Sequence, residues 1–350
     1  MESLNNEKFP EKIETEDQLE ELLSRPDDKV SEMFSRLDGD ILILGITGKI
    51  GPSLANMARR ACEKFGIKKR IIGVSRHGNR EQEHLFRKSE IEIRHGDLLD
   101  INFIRSLPNV KNVFFLAGMK FGSIDNLPET WAINTYLPAL VADHFKDSRI
   151  VAFSTGCVYP LVPLENGGSV ETDMPIAAGE YAQSCLGRER MFEFGSNKNK
   201  TEVALIRLNY SVEMRYGVLT DIALKVKNNL PVDLTMGYFN VIWQGDMNNF
   251  VLRSLEYTKS PATILNITGP EILSVRDVAI EFGKLFGVDP KFVNKEAETA
   301  LLNNPAKATE YFGKPATPVS QIIKWIAGWL MDNNKLLGKP THFEVRDGKY

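Results

Sequence analysis

The sequence predicts an α/β protein in which a doubly wound parallel sheet is followed by a smaller, mostly helical C-terminal lobe. From Asp40, runs of four to six apolar residues alternate with helical patterns, which is typical of parallel strands that are buried on both faces. The first run leads directly into a glycine-rich loop and a helix. After about residue 210 the alternation becomes irregular, and a second lobe is therefore expected there.

Six strands are predicted for the sheet. They cover residues 40–46, 70–75, 91–96, 113–118, 149–155 and 202–208. The segment 52–66 between the first two strands has a helical pattern. Successive strand–helix–strand units with right-handed crossovers produce a doubly wound sheet.

The chain divides into four predicted segments. Residues 1–38 form an acidic extension with two short helical stripes, which we expect to pack on the main body or on a partner subunit. Residues 39–210 form the sheet domain, and residues 211–335 form the second lobe; the alternative is that the second lobe also contributes a strand to the sheet. Residues 336–350 are expected to be a loose tail.

Composition limits the classes of function. The 350 residues carry a net charge of -3, which gives no electrostatic case for binding nucleic acid or an anionic membrane. The polar, acidic N-terminus does not resemble a targeting peptide. The three cysteines are too few and too irregularly spaced for a disulfide framework or a zinc site. We expect a cytoplasmic protein with reduced thiols and no metal.

The loop after the first strand has the pattern of a phosphate-binding loop. Its glycines, Gly45, Gly48 and Gly51, let the backbone turn tightly and approach a pyrophosphate, and the helix that follows offers unpaired N–H groups. A strand before and a helix after make this interpretation stronger than the glycines alone. The cofactor loop also includes Thr47, Lys49 and Ile50. The alternative is an ordinary glycine-rich loop.

The end of the second strand favours NADP as the cofactor. No acidic residue stands there to bind the ribose hydroxyls of NAD, whereas Ser75 and Arg76 can bind a 2′-phosphate. NAD remains possible if Arg76 is only a solvated surface residue. After the third strand, Asp97 and Leu98 are placed at the adenine, although Asp97 alone is also a common turn residue.

In order, GITGKIG, HGDL, FFLAG, Asn134, FSTGCVY and Tyr181 resemble the extended short-chain dehydrogenase/reductase family, which includes nucleotide-sugar epimerases and dehydratases. The resemblance covers residues 40–330. It implies a Rossmann-type fold, with Ala117 and Gly118 beside the nicotinamide ribose. It also implies that Thr155 binds the substrate oxygen and that Tyr181 is the proton-transfer residue and a cofactor contact.

Cys185 departs from the family, which has lysine at this position. A free phenol titrates near pH ~10, and a nearby cation lowers its pKa. Cysteine cannot supply that charge. Lys120, in the loop after the fourth strand, is the first candidate for a replacement, unless it is a solvated loop lysine. Arg188 and Arg190 are predicted to point away from the Tyr181 face and to form surface salt bridges.

The cysteine at position 185 allows two alternative interpretations. The reaction could depend less on the charge of the missing lysine, and Cys185 or Cys157 would then act as an acid or base. The ordinary alternative for each cysteine is a small buried side chain without a chemical role. The protein could instead bind the dinucleotide without turnover, as a sensor or regulatory subunit.

The substrate side is predicted from the second lobe. Beside Lys120, Thr155 and Cys157, it includes Asn209, Arg215 and Trp243, and Arg207 is a further candidate for an anionic group. The alternative for Trp243 is that it packs in the core and does not contact the substrate. The resemblance implies an NAD(P)-dependent enzyme acting on a sugar, sugar acid or nucleotide sugar. It also implies a homodimer formed through the Tyr181 helix and the helix over 138–146.

Overall fold

The computed structural model describes residues 9–76, 78, 80–120, 122 and 125–349. Within these residues, the main sheet contains seven strands, and all neighbouring strands are parallel. In chain order they are β1 Ile41–Leu44, β2 Ile71–Ser75, β3 Glu92–His95, β4 Asn112–Phe115, β5 Arg149–Thr155, β6 Glu202–Leu208 and β7 Thr263–Ile267. Their spatial order is β7-β6-β5-β4-β1-β2-β3. The predicted Rossmann-type α/β fold is confirmed.

The sheet is covered on both faces, because successive residues of each strand point to opposite sides. Ile41 and Ile43 pack in one apolar cluster with Leu54 and Ala58 of the helix that follows β1. Leu42 and Leu44 pack in a different cluster, together with Val141. The strands therefore read as continuous apolar runs in the sequence.

The helices are numbered along the chain. They are α1 Glu16–Leu23, α2 Asp28–Arg36, α3 Gly51–Lys64, α4 Arg80–Lys88, α5 Ile101–Ser106, α6 Leu127–Trp131, α7 Leu137–His144, α8 Gly179–Asn199, α9 Val218–Lys227, α10 Gln244–Arg253, α11 Val275–Phe286, α12 Ala306–Phe312 and α13 Val319–Met331. A π-helical turn, Ala132–Tyr136, joins α6 to α7.

The seventh strand lies beyond the predicted end of the sheet domain. β7 pairs with β6, with Ile264 opposite Leu205. Helix α10 also returns to this side of the molecule and packs against α3 and α2. The chain thus leaves the sheet after β6 and comes back to complete it.

The acidic extension packs on the main body. Thr15 caps α1 by accepting a hydrogen bond from the backbone N–H of Gln18 at 3.2 Å, as the capping pattern predicts. Leu19 and Leu23 are fully buried in the core of the second lobe, and Phe34 of α2 is buried against the sheet domain. The extension therefore contacts both parts of the chain.

The second lobe has its own core, formed by α9, α11 and α13 and by short strands. Among the described residues, the short strands form four pairs: Val162–Pro163 with Thr299–Ala300, Ser211–Val212 with Ile242–Trp243, Pro231–Asp233 with Lys291–Val293, and Tyr238–Phe239 with Leu273–Ser274.

The expectation of a loose C-terminal tail is wrong over its described residues. The backbone N–H and the hydroxyl of Thr341 donate to the Asp221 carboxylate at 2.7 and 2.6 Å. The Phe343 ring is 1% exposed. A Cβ at Gly348 would overlap the backbone of Ala178, immediately before α8. The tail is ordered because Thr341, Phe343 and Gly348 each pack against or hydrogen-bond to residues of the rest of the chain.

Candidate active site

A cavity of about 280 Å³ opens at the carboxyl ends of β1, β2, β3 and β4. In doubly wound folds this edge of the sheet is where ligands bind. The cavity brings together most of the predicted cofactor residues: Gly45, Thr47, Gly48, Ser75, Arg76, Asp97, Leu98, Ala117 and Gly118. The remaining ones, Lys49, Ile50, Gly51 and Tyr181, do not line it.

The glycine loop has the close packing that a pyrophosphate cradle requires. Gly45 has a φ of 90°, and a Cβ there would lie 2.8 Å from the backbone nitrogen of Ala117. A Cβ at Gly51 would overlap the carbonyl oxygen of Ile46, so α3 can follow β1 this closely only with glycine there. By contrast, a Cβ at Gly48 would meet only the Gly45 oxygen, at 3.3 Å. The loop is therefore open on the cavity side, and these residues fit a dinucleotide.

The ribose end of the cavity contains both a cation and an anion. The hydroxyls of Thr47 and Ser75 are 2.9 Å apart. Arg76, whose side chain is 48% exposed, lies 3.5 Å from the carboxylate of Glu129 on α6. The predicted phosphate-binding residue Arg76 thus forms a long, exposed salt bridge with Glu129. A 2′-phosphate bound to Arg76 would compete with this carboxylate and would be repelled by its charge.

Thr155 and Tyr181 lie on neighbouring elements. Thr155 is buried at the end of β5, where its hydroxyl accepts from the backbone N–H of Cys157 at 3.2 Å. Tyr181 lies in the first turn of α8 and packs with Val158 and Cys185. Its hydroxyl and the Cys185 thiol lie close enough for each to affect the pKa of the other.

The surroundings of Tyr181 make its ionisation difficult. Burial raises the pKa of Tyr181 well above its usual range, and Cys185 and Cys157 raise it further. Arg188 acts in the opposite direction. Burial also raises the pKa of the Cys185 thiol, which Arg188 again opposes. Arg188 is therefore a cation that acts on both groups.

The prediction for Arg188 is wrong. Seven residues make almost two full helical turns, so Arg188 lies on the same face of α8 as Tyr181. It is 6% exposed. Its guanidinium donates to the Phe153 carbonyl at 2.8 Å and to the Asn134 Oδ1 at 2.7 Å. A Cβ at Gly118 would lie 2.7 Å from its Nη2. This arginine thus lies between the Tyr181 helix and the cavity.

Arg190 behaves as predicted. Its side chain is 51% exposed and forms a salt bridge to Glu193 at 2.6 Å. It therefore serves as an internal comparison for Arg188.

Asn134 fixes the loop after β4. It lies in the π-helical turn, a feature that is frequent at functional sites. Its side chain accepts from the Met119 N–H and donates to the Met119 carbonyl, both at 2.9 Å, and also donates to Ser184 at 3.0 Å. The asparagine connects the cavity wall to α8.

The charge of Lys120 affects the pKa of Lys49. Lys49 projects towards the second lobe, with its Nζ 3.6 Å from the centroid of the Tyr216 ring. Burial lowers the pKa of Lys49 to about 7, and the charges of Lys120 and Arg215 lower it as well. Arg188 is among the groups that act most on the pKa of Tyr181.

Several predicted substrate residues have structural partners instead. Arg215 is paired with Glu213 at 3.1 Å and with Glu20 of α1 at 2.7 Å. Trp243 is 3% exposed, and its ring centroid is 5.4 Å from that of Trp325. These contacts correct the assignment of both residues to the substrate.

Asn209 and Arg207 are also buried. Asn209 is 2% exposed and donates to Asn240 at 2.9 Å. Arg207 forms a fully buried salt bridge to Glu189 of α8 at 2.7 Å, which corrects its assignment to an anionic substrate group. Cys157 remains half-buried and lies close enough to Tyr181 and Tyr216 to raise the pKa of both.

Within the described ranges, no cluster of His, Cys, Asp or Glu side chains is suited to hold a metal ion. The described part of the chain also contains no helix that is both long enough and apolar enough to cross a bilayer.

Neither the scan against protein-family models nor the search of curated proteins found a match. Solved structures do match. MoeE5 in complex with UDP-glucose and NAD superposes with a TM-score of 0.68 at 18% identity, over 84% of this chain and 99% of that chain. A UDP-glucuronic acid 4-epimerase from Bacillus cereus in complex with NAD gives 0.68 at 16% identity, over 85% and 100%. UDP-glucose 4-epimerase from Thermotoga maritima gives 0.67 at 16%, over 84% and 99%. At these identities the similarity establishes the fold.

Proposed function

We propose that this protein is an NAD(P)-dependent enzyme of the epimerase, dehydratase or reductase type, acting on a carbohydrate-like substrate. The observation that carries the proposal is the cavity at the carboxyl edge of β1–β4, whose lining joins the glycine loop to Gly118. Gly118 in turn contacts the α8 face that bears Tyr181. The fold shared with MoeE5 and the two epimerases supports the same interpretation.

The cavity offers the cofactor contacts at several of its parts. The open face of the glycine loop at Gly48 would take the pyrophosphate, Asp97 the adenine, and Ala117 and Gly118 the nicotinamide ribose. When bound, the nicotinamide would supply or accept a hydride. Arg76 favours NADP, and NAD is the second choice. The neighbouring structures were solved with NAD.

Tyr181 is proposed as the proton-transfer residue, and Thr155 as the group that orients the substrate oxygen. A phenol can exchange a proton near neutral pH only if its anion is stabilised. Cys185 does not stabilise the anion, but the Arg188 guanidinium does, since it opposes the rise in the pKa of Tyr181. We therefore propose that Arg188 supplies charge that the missing lysine would have provided, and Lys120 stays a second candidate for this role.

The neighbouring structures also suggest the class of substrate. MoeE5 was solved with UDP-glucose and with UDP-glucuronic acid. For the present chain we propose a sugar, a sugar acid or a nucleotide sugar that approaches Tyr181 from the side of the second lobe. We assign the half-buried Cys157 to this side, because it raises the pKa of both Tyr181 and Tyr216 of the second lobe.

The test is a fluorescence titration of the protein with NADPH and NADH, followed by turnover on a panel of sugars, sugar acids and nucleotide sugars. We expect dinucleotide binding in the wild type and turnover that is retained in Cys185→Ala but lost in Tyr181→Phe. Binding of NADPH without turnover on any of the panel would favour a regulatory or sensor protein instead. No dinucleotide binding would remove both proposals.

A homodimer through α7 and α8 is also proposed. The two helices pack side by side, and large apolar side chains on or next to them are exposed, with Tyr136 56% and Phe194 61% exposed. Light scattering should give about twice the chain mass. A monomer would exclude this arrangement.

A further inference from the structure

The C-terminal tail joins the second lobe to the start of α8. Residues 341–349, which we call the strap, follow the last helix and lie outside the segment 40–330 that resembles the family. They form no helix or strand, so their course is set by contacts with the rest of the chain. Those contacts fall into two groups, one on the second lobe and one immediately before α8.

Three residues hold the strap on the second lobe. Thr341 donates twice to the Asp221 carboxylate of α9. Phe343 is buried in the core of this lobe. The Arg346 guanidinium donates to the carbonyl and to the hydroxyl of Thr299, both at 2.7 Å. This end of the strap is therefore fixed by hydrogen bonds and by a buried ring together.

The other end of the strap contacts the segment that leads into α8. Gly348 and Gly179 have φ values of 80° and 78°, in the region that favours glycine. A Cβ at Gly179 would lie 2.2 Å from the carbonyl oxygen of Gly348. A Cβ at Gly348 would lie 2.3 Å from the carbonyl oxygen of Ala178. Neither position can therefore take a side chain unless the strap moves away from α8.

The start of α8 has few other supports among the described residues. Ala178 is the N-cap residue, and its side chain cannot accept a hydrogen bond from the first turn. Glu180 accepts from the Trp131 indole at 2.6 Å, but this partner belongs to the sheet domain. Helix ends fray readily, and Tyr181 lies in the first turn, two residues after Gly179. The contact with the strap is thus placed where it can hold Tyr181 relative to the second lobe.

The link between the two ends of the strap is short. Only Asp347 separates Arg346 from Gly348, and two residues of extended chain span at most about 7 Å. Because the link is this short, any separation of the second lobe from α8 would pull Gly348 away from Gly179. The strap therefore couples the position of the second lobe to that of the first turn of α8.

We propose that the strap is a positioning element for Tyr181, which holds the first turn of α8 in place when the second lobe is closed on the sheet domain. This inference rests on the proposed function for the role of Tyr181. The strap acts through the tyrosine and is not itself a catalytic group. A substrate that draws the second lobe towards α8 would thereby also order the residue that transfers its proton.

The first experiment needs no substrate and measures amide hydrogen exchange by peptide mass spectrometry. Two variants release the strap from α8: Gly348→Ala, and truncation after Asp347, which leaves Thr341, Phe343 and Arg346 in place. The matched control is Gly338→Ala, because Gly338 also has a positive φ, 63°, but a Cβ there would meet nothing within 4 Å.

We expect amides 180–185 of α8 to exchange about tenfold faster in both release variants, because local opening of a helix end governs their exchange. Exchange in α9 should be unchanged, since its contact with Thr341 is retained. Gly338→Ala should leave α8 as in the wild type. Unchanged exchange at 180–185 in the truncated chain would overturn the proposal, and so would an equal rise in α8 and α9, which would indicate a general loss of stability.

The second experiment measures turnover of the same four proteins on a substrate found in the panel. The kcat of both release variants should fall about tenfold to a hundredfold, the scale of a misplaced reacting group. Their affinity for NADH should be unchanged, because no strap residue lines the cavity at β1–β4. A fall in NADH affinity with no fall in kcat would indicate a structural role for the strap elsewhere and would overturn the proposal.

The two proposals fail separately. Turnover in the wild type with unchanged exchange and kcat in the release variants removes the strap as a positioning element and leaves the proposed function. Faster exchange at α8 in a protein that binds NADH but turns over no substrate retains the contact between strap and helix. That result removes the proposed function, and with it the role of the strap in turnover.

Discussion

The assignment of the missing charge to Arg188 can be tested by a double-mutant cycle with Cys185. Cys185→Lys restores the family residue but places an ammonium three positions before a buried guanidinium. Side chains three apart on a helix have Cβ atoms about 5–6 Å apart. Two unit charges at about 5.5 Å and an effective dielectric constant of about 20 repel each other by about 3 kcal/mol. Cys185→Lys alone should lose about that much free energy of unfolding.

Arg188→Met alone should also be destabilising. It removes the hydrogen bonds to the Phe153 carbonyl at 2.8 Å and to Asn134 at 2.7 Å. Hydrogen bonds to charged groups contribute about 1.5–3 kcal/mol each. The variant no longer has to bury a guanidinium, and the desolvation energy that it avoids offsets part of the lost hydrogen bonds. We expect a loss of about 3 kcal/mol. In Cys185→Lys/Arg188→Met the repulsion is absent, so the double variant should be about 3 kcal/mol more stable than the sum of the single effects.

Urea denaturation of the wild type, the two single variants and the double variant gives this coupling energy. NADH titration of the same four proteins shows whether cofactor affinity changes in parallel with stability. Arg190→Met is the matched control, because Arg190 lies on the same helix but is exposed and paired only with Glu193. Its effect should stay within about 0.5 kcal/mol and should add to that of Cys185→Lys. If the Cys185 and Arg188 effects are additive within about 0.5 kcal/mol, the two positions do not share one charge site and the reasoning fails.

Four further predictions use other parts of the structure. Glu129→Gln should tighten NADPH binding about two- to fivefold and leave NADH binding unchanged, because the carboxylate beside Arg76 is an exposed partner of modest strength; fluorescence titration of both nucleotides checks this. Arg207→Met should cost about 3–5 kcal/mol in urea denaturation, because it leaves a buried carboxylate without its cation. Truncation after Gly338 should cost at least about 3 kcal/mol, since it removes a fully buried phenylalanine; an unchanged urea midpoint would mean that the tail is not anchored. Lys49→Met should be stabilising, most at pH 7 and below. The folded pKa of this lysine, about 7, lies below the unfolded value of 10.5, so the wild type gains stability as the pH rises between them. The advantage of the variant should therefore shrink by up to about 1.4 kcal/mol per pH unit, and a pH-independent difference would contradict the perturbed amine.

The sheet and the cofactor edge could be predicted from local sequence pattern. All six predicted strands overlap observed strands. Five of them are almost entirely buried and therefore appear as apolar runs, whereas β3 is partly exposed and more polar. The loop from Gly45 to Gly51 could be assigned from local pattern alone, since its function depends on consecutive backbone positions.

The face of α8 was also encoded in the sequence but was assigned incorrectly. The spacing of Tyr181, Cys185 and Arg188 places all three on one helical face. The sequence does not show what covers that face, because an arginine is far more often exposed than buried. Only the packing of α8 over Phe153 and Asn134 shows that this arginine is buried and directed at the site.

Contacts between distant segments, by contrast, depend on the tertiary structure. β7 becomes a sheet strand by pairing with β6, Arg207 of β6 finds its carboxylate on α8, and the tail is anchored at Asp221. Lys49 of the glycine loop contacts the ring of Tyr216 in the second lobe. Residues with such roles have no local periodicity that would mark them, because a buried charge or a docked tail is stabilised by its partner and not by its neighbours in sequence. The cofactor edge could therefore be predicted from consecutive residues, whereas the charges around Tyr181 required the folded chain.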